Sequence, residues 1–201
     1  MKMKKVFLLL NGEKPKKLPD FHDYDLICAT DGAYQYLKKN KVKPDFISGD
    51  FDSLESMPIN IKTIHTPNQN FTDFDKILQI LFDKGFFLID VFGASGKEQD
   101  HFLGNLHTVI KWKDKLKITL FDDFGIYFFG EKECVFTECL KKTISLIPFP
   151  TATKIFTKGL KYNLYNEDLN FGTKIGTRNK ALEKTVNISF KSGELLVFIN
   201  H

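Results

Sequence analysis

The feature that most constrains the fold is a change in the spacing of apolar segments near residue 122. Before it, short apolar runs alternate with segments of helical periodicity; after it, short apolar runs follow one another with only turns between them. Alternation of strand and helix indicates an α/β domain with a mostly parallel sheet, whereas strands without helices indicate an all-β domain. The sequence therefore predicts two domains, residues 1–123 and residues 124–201.

The first domain is predicted to contain six buried strands. Several of the apolar runs are continuous, as expected where helices cover both faces of a parallel sheet, so we predict a three-layer α/β arrangement. The predicted strands are residues 5–10, 25–29, 46–48, 62–65, 86–92 and 117–121.

Helices are predicted between these strands. The clearest covers residues 72–84, where apolar residues recur at helical spacing and Thr72 stands in the N-cap position with Asp75 three residues later. Gly85 follows as a stop signal. A short helix is predicted in GAYQYLKKN and a longer one in DHFLGNLHTVIKW.

The second domain is predicted to be a small all-β sandwich. Its predicted strands are residues 126–129, 134–137, 143–147, 154–156, 184–190 and 194–199. The Lys191-Ser192-Gly193 turn predicts that the last two strands form a hairpin.

Composition excludes several classes of protein. The net charge is only +4 and the lysines are scattered over 201 residues, which argues against a nucleic-acid partner. Cys28, Cys134 and Cys139 are odd in number and widely spread, which argues against a disulfide framework and structural zinc. No segment approaches the roughly 20 apolar residues of a membrane span. The apolar run at residues 6–10 is too short for a signal peptide, so a cytoplasmic protein without a membrane partner is expected.

Five aspartates are placed where ligands bind in open α/β sheets, beyond the carboxyl ends of the strands. Asp31, Asp50 and Asp52 follow predicted strands, and Asp73 and Asp100 begin predicted helices. So many carboxylates at one edge repel one another unless cations neutralise them. Hard oxygen ligands in this number suit Mg²⁺, which is commonly bound by one or two carboxylates together with substrate phosphates.

Groups suited to phosphate accompany these acids. Gly93, Ser95 and Gly96 form a turn before a helix start, where free N–H groups and the helix dipole favour an anion. Lys76 and Lys97 supply positive charge nearby. Taken one at a time, each aspartate is better explained as a helix cap or a solvated turn residue than as a functional group. Their convergence with two lysines and a glycine turn favours a functional site.

The order of these motifs resembles the thiamine pyrophosphokinase family along nearly the whole chain. The similar segments are DGA (31–33), PDFISGDFDS (44–53), TDFDK (72–76), GASGKEQDHFLGNL (93–106), SLIPF (145–149), GLKYNL (159–164) and GTRNKA (176–181). Each motif is short, but seven in the correct order are specific.

The resemblance implies an ATP-binding catalytic domain at residues 1–123 and a thiamine-binding β-sandwich at residues 124–201. It implies Mg²⁺-dependent transfer of the pyrophosphoryl group of ATP to the hydroxyl of thiamine, giving thiamine diphosphate and AMP. It also implies a homodimer in which each active site lies between the α/β domain of one subunit and the sandwich of the other.

Roles for individual residues follow from the resemblance together with their positions. The predicted catalytic residues are Asp52, Asp73, Lys76 and Asp100. The predicted ATP and phosphate ligands are Asp31, Gly32, Gly49, Ser53, Thr72, Lys76, Gly93, Ser95, Gly96 and Lys97. The predicted metal ligands are Asp50, Asp52 and Asp73. The predicted thiamine contacts are Asp100, Asn105, Thr177 and Asn179. The sequence leaves open whether Asp73 or Asp100 deprotonates the hydroxyl.

The chain departs from the family pattern in two places. Asn68 and Asn70 flank Gln69 where the family has acidic residues, and Glu98 stands where the family commonly has arginine. Two other interpretations stay open. One is a nucleotide-sugar transferase, because an acid-x-acid pair after a strand can also hold a metal-bound diphosphate. The other is a thiamine or nucleotide binder, in which Glu98 and the two asparagines mark lost catalysis.

Overall fold

Residues 3–52 and 57–201 are described by the computed structural model of the chain. The chain divides into two units, Met1–Asp123 and Phe124–His201. The division coincides with the change in the spacing of apolar runs. Each unit contains its own cluster of buried apolar side chains.

A parallel sheet forms the centre of the first unit. Its strands, as far as the unit is described, are β1 (Lys5–Leu9), β2 (Leu26–Thr30), β3 (Phe46–Gly49), β4 (Lys62–His65), β5 (Leu88–Phe92) and β6 (Lys117–Asp122). All are parallel to their neighbours, in the order β4–β3–β2–β1–β5–β6. The predicted parallel sheet is confirmed, with strand bounds that differ by a residue or two.

The strand order reverses between β1 and β5. The chain runs outward from β1 to β4 and then crosses to the other side of β1 to form β5 and β6. In open α/β sheets, a reversal of this kind marks the place where ligands bind, beyond the carboxyl ends of the strands.

Helices connect these strands. They are α1 (Tyr34–Lys39), α2 (Asp73–Asp83) and α3 (Gln99–Trp112). The predicted N-cap of α2 is confirmed, because Thr72 Oγ1 accepts a hydrogen bond from the Asp75 backbone N–H at 3.2 Å. Most of the apolar positions that predicted the helices are buried or half-buried, including Ile77 and Leu81 of α2 and Leu106 and Val109 of α3, whereas Leu103 of α3 is 60% exposed. None of the described helices is long and apolar enough to span a membrane.

The second unit is built from antiparallel strands. They are β7 (Gly125–Phe129), β8 (Glu133–Phe136), β9 (Thr143–Lys158), β10 (Tyr165–Asn170), β11 (Gly176–Lys180), β12 (Val186–Ser189) and β13 (Ser192–Asn200). β9 is the central strand, since β10, β11, β12 and β13 all pair with it. All of residues 124–201 are described, and none is helical.

The structure corrects the predicted strands of this unit in two ways. Residues 143–147 and 154–156 belong to one strand, β9, although Pro148 and Pro150 predict a break because proline cannot donate to a ladder. β10 and β11 were not predicted. Their sequences, YNEDLN and GTRNK, leave most side chains exposed and so lack the apolar alternation that indicates a strand.

The predicted hairpin of the last two strands is wrong. β12 pairs with β8 and β9, whereas β13 pairs with β7 and β9. In the connection between them, the Lys191 backbone N–H donates to the Thr153 carbonyl of β9 at 2.8 Å. The turn therefore leads the chain across β9 instead of back along β12.

Candidate active site

A cavity of about 680 Å³ lies at the carboxyl edge of the parallel sheet, within the first unit. The loops after β1, β2, β3 and β5 line it, together with the first turns of α2 and α3. The predicted site residues in its lining are Asp31, Gly32, Asp50, Asp52, Thr72, Asp73, Gly96, Lys97, Asp100 and Asn105. The five aspartates thus surround one cavity, whose size is typical of small-molecule sites.

Asp31 is the most buried of these acids, with 5% of its surface exposed. Its carboxylate accepts backbone hydrogen bonds from Gly32 at 2.6 Å and Phe51 at 2.8 Å. A Cβ at Gly49 would lie 2.3 Å from the Asp31 carboxylate. Glycine at position 49 therefore allows the end of β3 to approach Asp31, which joins the loops after β2 and β3 into one wall.

Burial and neighbouring carboxylates dominate the electrostatic environment of Asp31. Burial raises the pKa of its carboxyl group, and the charges of Asp73 and Asp50 raise it further, although the two backbone N–H groups oppose the shift. A cation placed among these carboxylates would relieve both the desolvation and the mutual repulsion.

Asp50 and Asp52 lie on one tight loop after β3. Asp50 accepts a hydrogen bond from Gln69 Nε2 at 3.1 Å and another from the Asp52 backbone N–H at 3.2 Å. The bond from Gln69 is the main cause of a lowered pKa of Asp50, so Asp50 is held as a carboxylate. In the Asn68–Gln69–Asn70 run, Gln69 thus contacts an acid, while Asn68 Oδ1 accepts the Asn70 N–H at 2.9 Å.

Lys76 is not among the residues that line this cavity. Its ammonium group pairs with Asp73 Oδ1 at 2.7 Å and donates to the Thr66 carbonyl at 2.7 Å. The Lys76 side chain is only 10% exposed, and it lines a different cavity. The predicted contact between Lys76 and phosphate therefore has no counterpart in the lining of the cavity, and Lys76 contacts Asp73 instead.

The glycine turn, residues 93–96, packs against the loop that follows β1. Gly93 has φ 69° and Gly96 has φ 74°, in the left-handed region that favours glycine. The Gly93 and Ser95 carbonyls accept backbone hydrogen bonds from Gly12 at 2.8 Å and from Glu13 at 2.7 Å. Gly93 and Ser95 are not among the residues that line the cavity, whereas Gly96 lines it.

Sequence reasoning missed the Asn11-Gly12 pair, which lines the cavity after β1. A Cβ at Gly12 would lie 2.3 Å from the Gly93 carbonyl oxygen, so the two loops meet only because glycine occupies position 12. The available signal was an Asn-Gly turn directly after the first strand, at the same sheet edge as the aspartates.

Two lysines converge on Asn11. Lys97 Nζ donates to the Asn11 carbonyl at 2.8 Å and approaches Asn11 Oδ1 at 3.4 Å. Lys14 Nζ donates to the Leu10 carbonyl at 2.8 Å and to Asn11 Oδ1 at 3.3 Å. Burial, followed by the charge of Lys97, lowers the pKa of Lys14 to about 8. These lysines place positive charge beside the wall of the cavity that contains Asn11, and Lys14 was not predicted.

The first two turns of α3 bring Asp100 and Asn105 to the cavity. The exposed Asp100 accepts the His101 backbone N–H at 2.8 Å. Asn105 Nδ2 donates to the Ala94 carbonyl at 2.7 Å, which ties α3 to the glycine turn. Glu98 also lines the cavity, and its carboxylate lies 3.7 Å from His101 Nε2.

The remaining predicted residues lie elsewhere. Thr177 and Asn179 belong to β11 of the second unit, where Thr177 is exposed. The Asn179 side chain accepts from the Tyr162 N–H at 3.1 Å and donates to the Tyr162 carbonyl at 2.6 Å. Ser53 lies outside the described residues.

The fit of the cavity to a divalent cation depends on its carboxylates. Among the described residues, no group of three or more His, Cys, Asp or Glu side chains is gathered closely enough to hold a metal ion by itself. The chemistry nevertheless fits Mg²⁺, because acids outnumber lysines in the lining of the cavity, and Mg²⁺ completes its shell with water and substrate phosphates.

Two segments of the chain match models of known protein families. Residues 20–120 match "Thiamin pyrophosphokinase, catalytic domain", and residues 133–195 match "Thiamin pyrophosphokinase, vitamin B1 binding domain". The first match falls within the first unit and the second within the second unit.

Individual relatives agree with these matches. The chain is 30% identical to Thiamin pyrophosphokinase 1 of Caenorhabditis elegans, over 85% of this chain and 76% of the relative. It is 29% identical to Thiamine pyrophosphokinase of Bacillus subtilis (strain 168), over 97% of this chain and 98% of the relative. The crystal structure of thiamine pyrophosphokinase from Bacillus subtilis superposes with a TM-score of 0.85 at 25% identity, over 98% of this chain and 99% of that one.

Proposed function

The chain belongs to the thiamine pyrophosphokinase family, and on that premise we propose that it is a thiamine diphosphokinase. It transfers the pyrophosphoryl group of ATP to the hydroxyl of thiamine and releases thiamine diphosphate and AMP. The observation that carries this proposal for the chain's own residues is the single cavity at the strand-order reversal, which five aspartates surround beside a glycine turn.

The reaction requires little covalent chemistry from the protein. The thiamine oxygen attacks the β-phosphorus of ATP, the bond from that phosphorus to the α-phosphate oxygen breaks, and the hydroxyl proton is lost. Transfers of this type depend on positioning and on electrostatic stabilisation of charge on the phosphate oxygens. The cavity residues therefore act by holding the two substrates in line and by balancing charge.

Asp50 and Asp52 are the proposed main ligands of Mg²⁺, with Asp73 as a further ligand or a contact through bound water. When bound, the ion supplies positive charge to the phosphate oxygens and orients the polyphosphate. Gln69 supports this set because its amide holds Asp50 in place and in the carboxylate form. Asp31 shapes the same wall through the loop after β3.

Asp100 is the proposed group that orients or deprotonates the thiamine hydroxyl. Its rival, Asp73, already forms an ion pair with Lys76 at 2.7 Å. That pair occupies the Asp73 Oδ1 atom with a cation. Asp100 lines the cavity and is exposed, and among the described residues it forms no ion pair of this kind, so its carboxylate is the freer of the two to contact the hydroxyl.

Lys97 and the glycine turn are the proposed phosphate contacts. Lys97 lines the cavity, and backbone N–H groups at the start of α3 and in the turn are suited to an anion. For Lys76 we propose an indirect role: through its ion pair it fixes the position of Asp73.

The proposed organisation follows the family. Residues 1–123 form a three-layer α/β ATP-binding domain, and residues 124–201 form a thiamine-binding β-sandwich in which Thr177 and Asn179 contact thiamine. We also propose a cytoplasmic homodimer with sites shared between subunits. Mixing Asp52→Asn subunits with subunits inactivated at Thr177 or Asn179 should then restore turnover, since one site of each mixed dimer regains both wild-type halves. Failure to restore any turnover would contradict shared sites.

One assay tests the function against its rivals. The protein is incubated with ATP, Mg²⁺ and thiamine, and AMP and thiamine diphosphate are measured. Formation of both in equal amounts is expected. Binding of thiamine and ATP without release of AMP would favour the non-catalytic binder, whereas inactivity with thiamine but turnover of a nucleotide sugar would favour the transferase.

A further inference from the structure

A second cavity, of about 420 Å³, lies in the first unit between the segment that precedes α2 and the end of α3. Phe71 and Trp112 supply aromatic surface to it, and Lys111 and Lys115 supply positive charge. None of these four residues lines the acidic cavity described above. The nucleotide and thiamine chemistry proposed for the first cavity makes no use of them.

Buried polar contacts give this cavity a defined wall. Asp75 is 7% exposed, and its two carboxylate oxygens accept from Trp112 Nε1 at 2.6 Å and from Lys111 Nζ at 2.7 Å. The Lys111 ammonium also lies 4.8 Å from the centre of the Phe71 ring. These contacts fix the indole and the Lys111 ammonium in place, so the aromatic and cationic groups are arranged before any ligand arrives.

Charge in the second cavity is unbalanced. Asp75 neutralises Lys111, and Lys76, which also lines the cavity, is neutralised by Asp73. The Lys115 ammonium lies over the Trp112 ring at 5.2 Å and the Phe82 ring at 5.7 Å, and it has no carboxylate partner within the described part of the chain. An anion is therefore the complementary partner for the charge that remains.

We propose that the second cavity binds a planar aromatic anion, a ring system that bears one carboxylate, sulfonate or phosphate group. The ring packs against Phe71, which is 49% exposed, and the anionic group pairs with Lys115. Trp112 forms the floor of the second cavity. Its indole is buried, yet it lines the cavity, so its fluorescence will respond to a bound ligand.

The chain carries its own reporter for this site, because Trp112 is its single tryptophan. The probe is 8-anilinonaphthalene-1-sulfonate, whose binding beside Trp112 quenches indole emission and produces energy transfer to the probe. N-phenyl-1-naphthylamine, which lacks the sulfonate, is the neutral comparison. We expect saturable energy transfer with the anionic probe and binding about tenfold weaker for the neutral one, since a charge-assisted contact is lost.

Variants locate the probe. Lys115→Met keeps the apolar stem and should weaken binding of the anionic probe about tenfold without affecting the neutral one. Lys84→Met, a change at an exposed lysine after α2 that lines neither cavity, is the matched control and should leave both affinities unchanged. Lys111 is not used, because its loss would leave the buried Asp75 carboxylate without its cation.

Two outcomes would overturn the proposal. The first is an anionic-probe affinity that Lys115→Met leaves unchanged, with complete displacement of the probe by ATP and Mg²⁺, which would place the probe in the first cavity. The second is the absence of saturable energy transfer from Trp112. Neither readout depends on turnover, so the result stands whether or not the proposed thiamine diphosphokinase activity is found.

Discussion

The Asp52 carboxylate of the first unit and the Asn179 amide of the second unit are held in opposite ways. Around the acidic cavity, the Asp52 carboxylate has no ion-pair or hydrogen-bond partner within the described part of the chain. In the second unit, the Asn179 amide is joined to Tyr162 by two hydrogen bonds. Side chains left without protein partners have bonding capacity for a ligand, whereas satisfied ones contribute to stability. Turnover and unfolding should therefore respond differently to mutation in the two units.

The largest expected effect is on turnover, from Asp52→Asn. The change keeps the shape of the side chain and removes one charge from the proposed metal site, so kcat/KM for thiamine diphosphate formation should fall about 100-fold or more. The midpoint of urea unfolding should not change, because the carboxylate supports no contact in the described protein. Asp83→Asn, at the exposed end of α2, is the control and should keep normal turnover. Near-normal turnover of Asp52→Asn would remove this residue from the metal site.

Gly49→Ala tests whether the cavity wall depends on close approach. The new Cβ would lie 2.3 Å from the Asp31 carboxylate, and the resulting strain should lower the free energy of unfolding by about 3 kcal/mol. Gly104→Ala provides the contrast, because a Cβ there meets nothing within 4 Å and alanine favours the helix by about 0.5 to 1 kcal/mol. Urea denaturation measures both. Equal effects of the two changes would show that the Gly49 contact relaxes without cost.

Asn179→Ala tests the opposite behaviour in the second unit. Loss of the two hydrogen bonds to Tyr162 should lower the free energy of unfolding by about 1 to 2 kcal/mol. Thr177→Ala, at an exposed neighbour in β11, should change it by less than about 0.5 kcal/mol. If Asn179 instead serves mainly as a thiamine contact, the KM for thiamine will rise while the unfolding midpoint stays unchanged.

The smallest expected effect concerns pH and Lys14. The pKa of Lys14 is about 8 in the folded protein, against 10.5 for an ordinary lysine such as that of the unfolded chain. Between pH 8 and pH 10.5, the unfolded chain therefore binds more protons at this residue than the folded protein does. The contribution of Lys14 to the free energy of unfolding therefore rises with pH through that range, by about 1 kcal/mol for a partly buried group. The difference in unfolding free energy between wild type and Lys14→Met should follow this rise from pH 7 to pH 10. The control Lys17→Met, at an exposed lysine, should show no such pH-dependent difference.

Much of the first unit could be predicted because its strands are apolar and its acids stand at their ends. Once the ends of β2 and β3 were located, the rule for parallel sheets was sufficient to bring Asp31, Asp50 and Asp52 to one edge. The direction of Lys76 could not be predicted in the same way. Its place on α2 fixes a face of the helix, but the Thr66 carbonyl that receives its ammonium comes from a loop whose path the sequence does not reveal.

The strands of the second unit were harder to predict, because some of them form through pairing with a neighbouring strand and not through a pattern in their own sequence. β10 and β11 have exposed, polar sequences and owe their conformation to β9, with which they pair. Lys14 illustrates the same limit within the first unit. Its lowered pKa arises from burial and from Lys97, which is distant in sequence, so nothing in the local sequence indicates it.

The Asn11-Gly12 pair has a consequence for the chemical ageing of the protein. Asparagine before glycine is prone to deamidation, in which the backbone nitrogen of the glycine attacks the side-chain amide carbon of the asparagine. Here the Gly12 N–H is bonded to the Gly93 carbonyl at 2.8 Å, and the Asn11 side-chain oxygen is held by two lysines. The reaction must wait for this wall to open. The rate of Asn11 deamidation, followed by mass spectrometry, therefore measures how often this wall of the cavity opens.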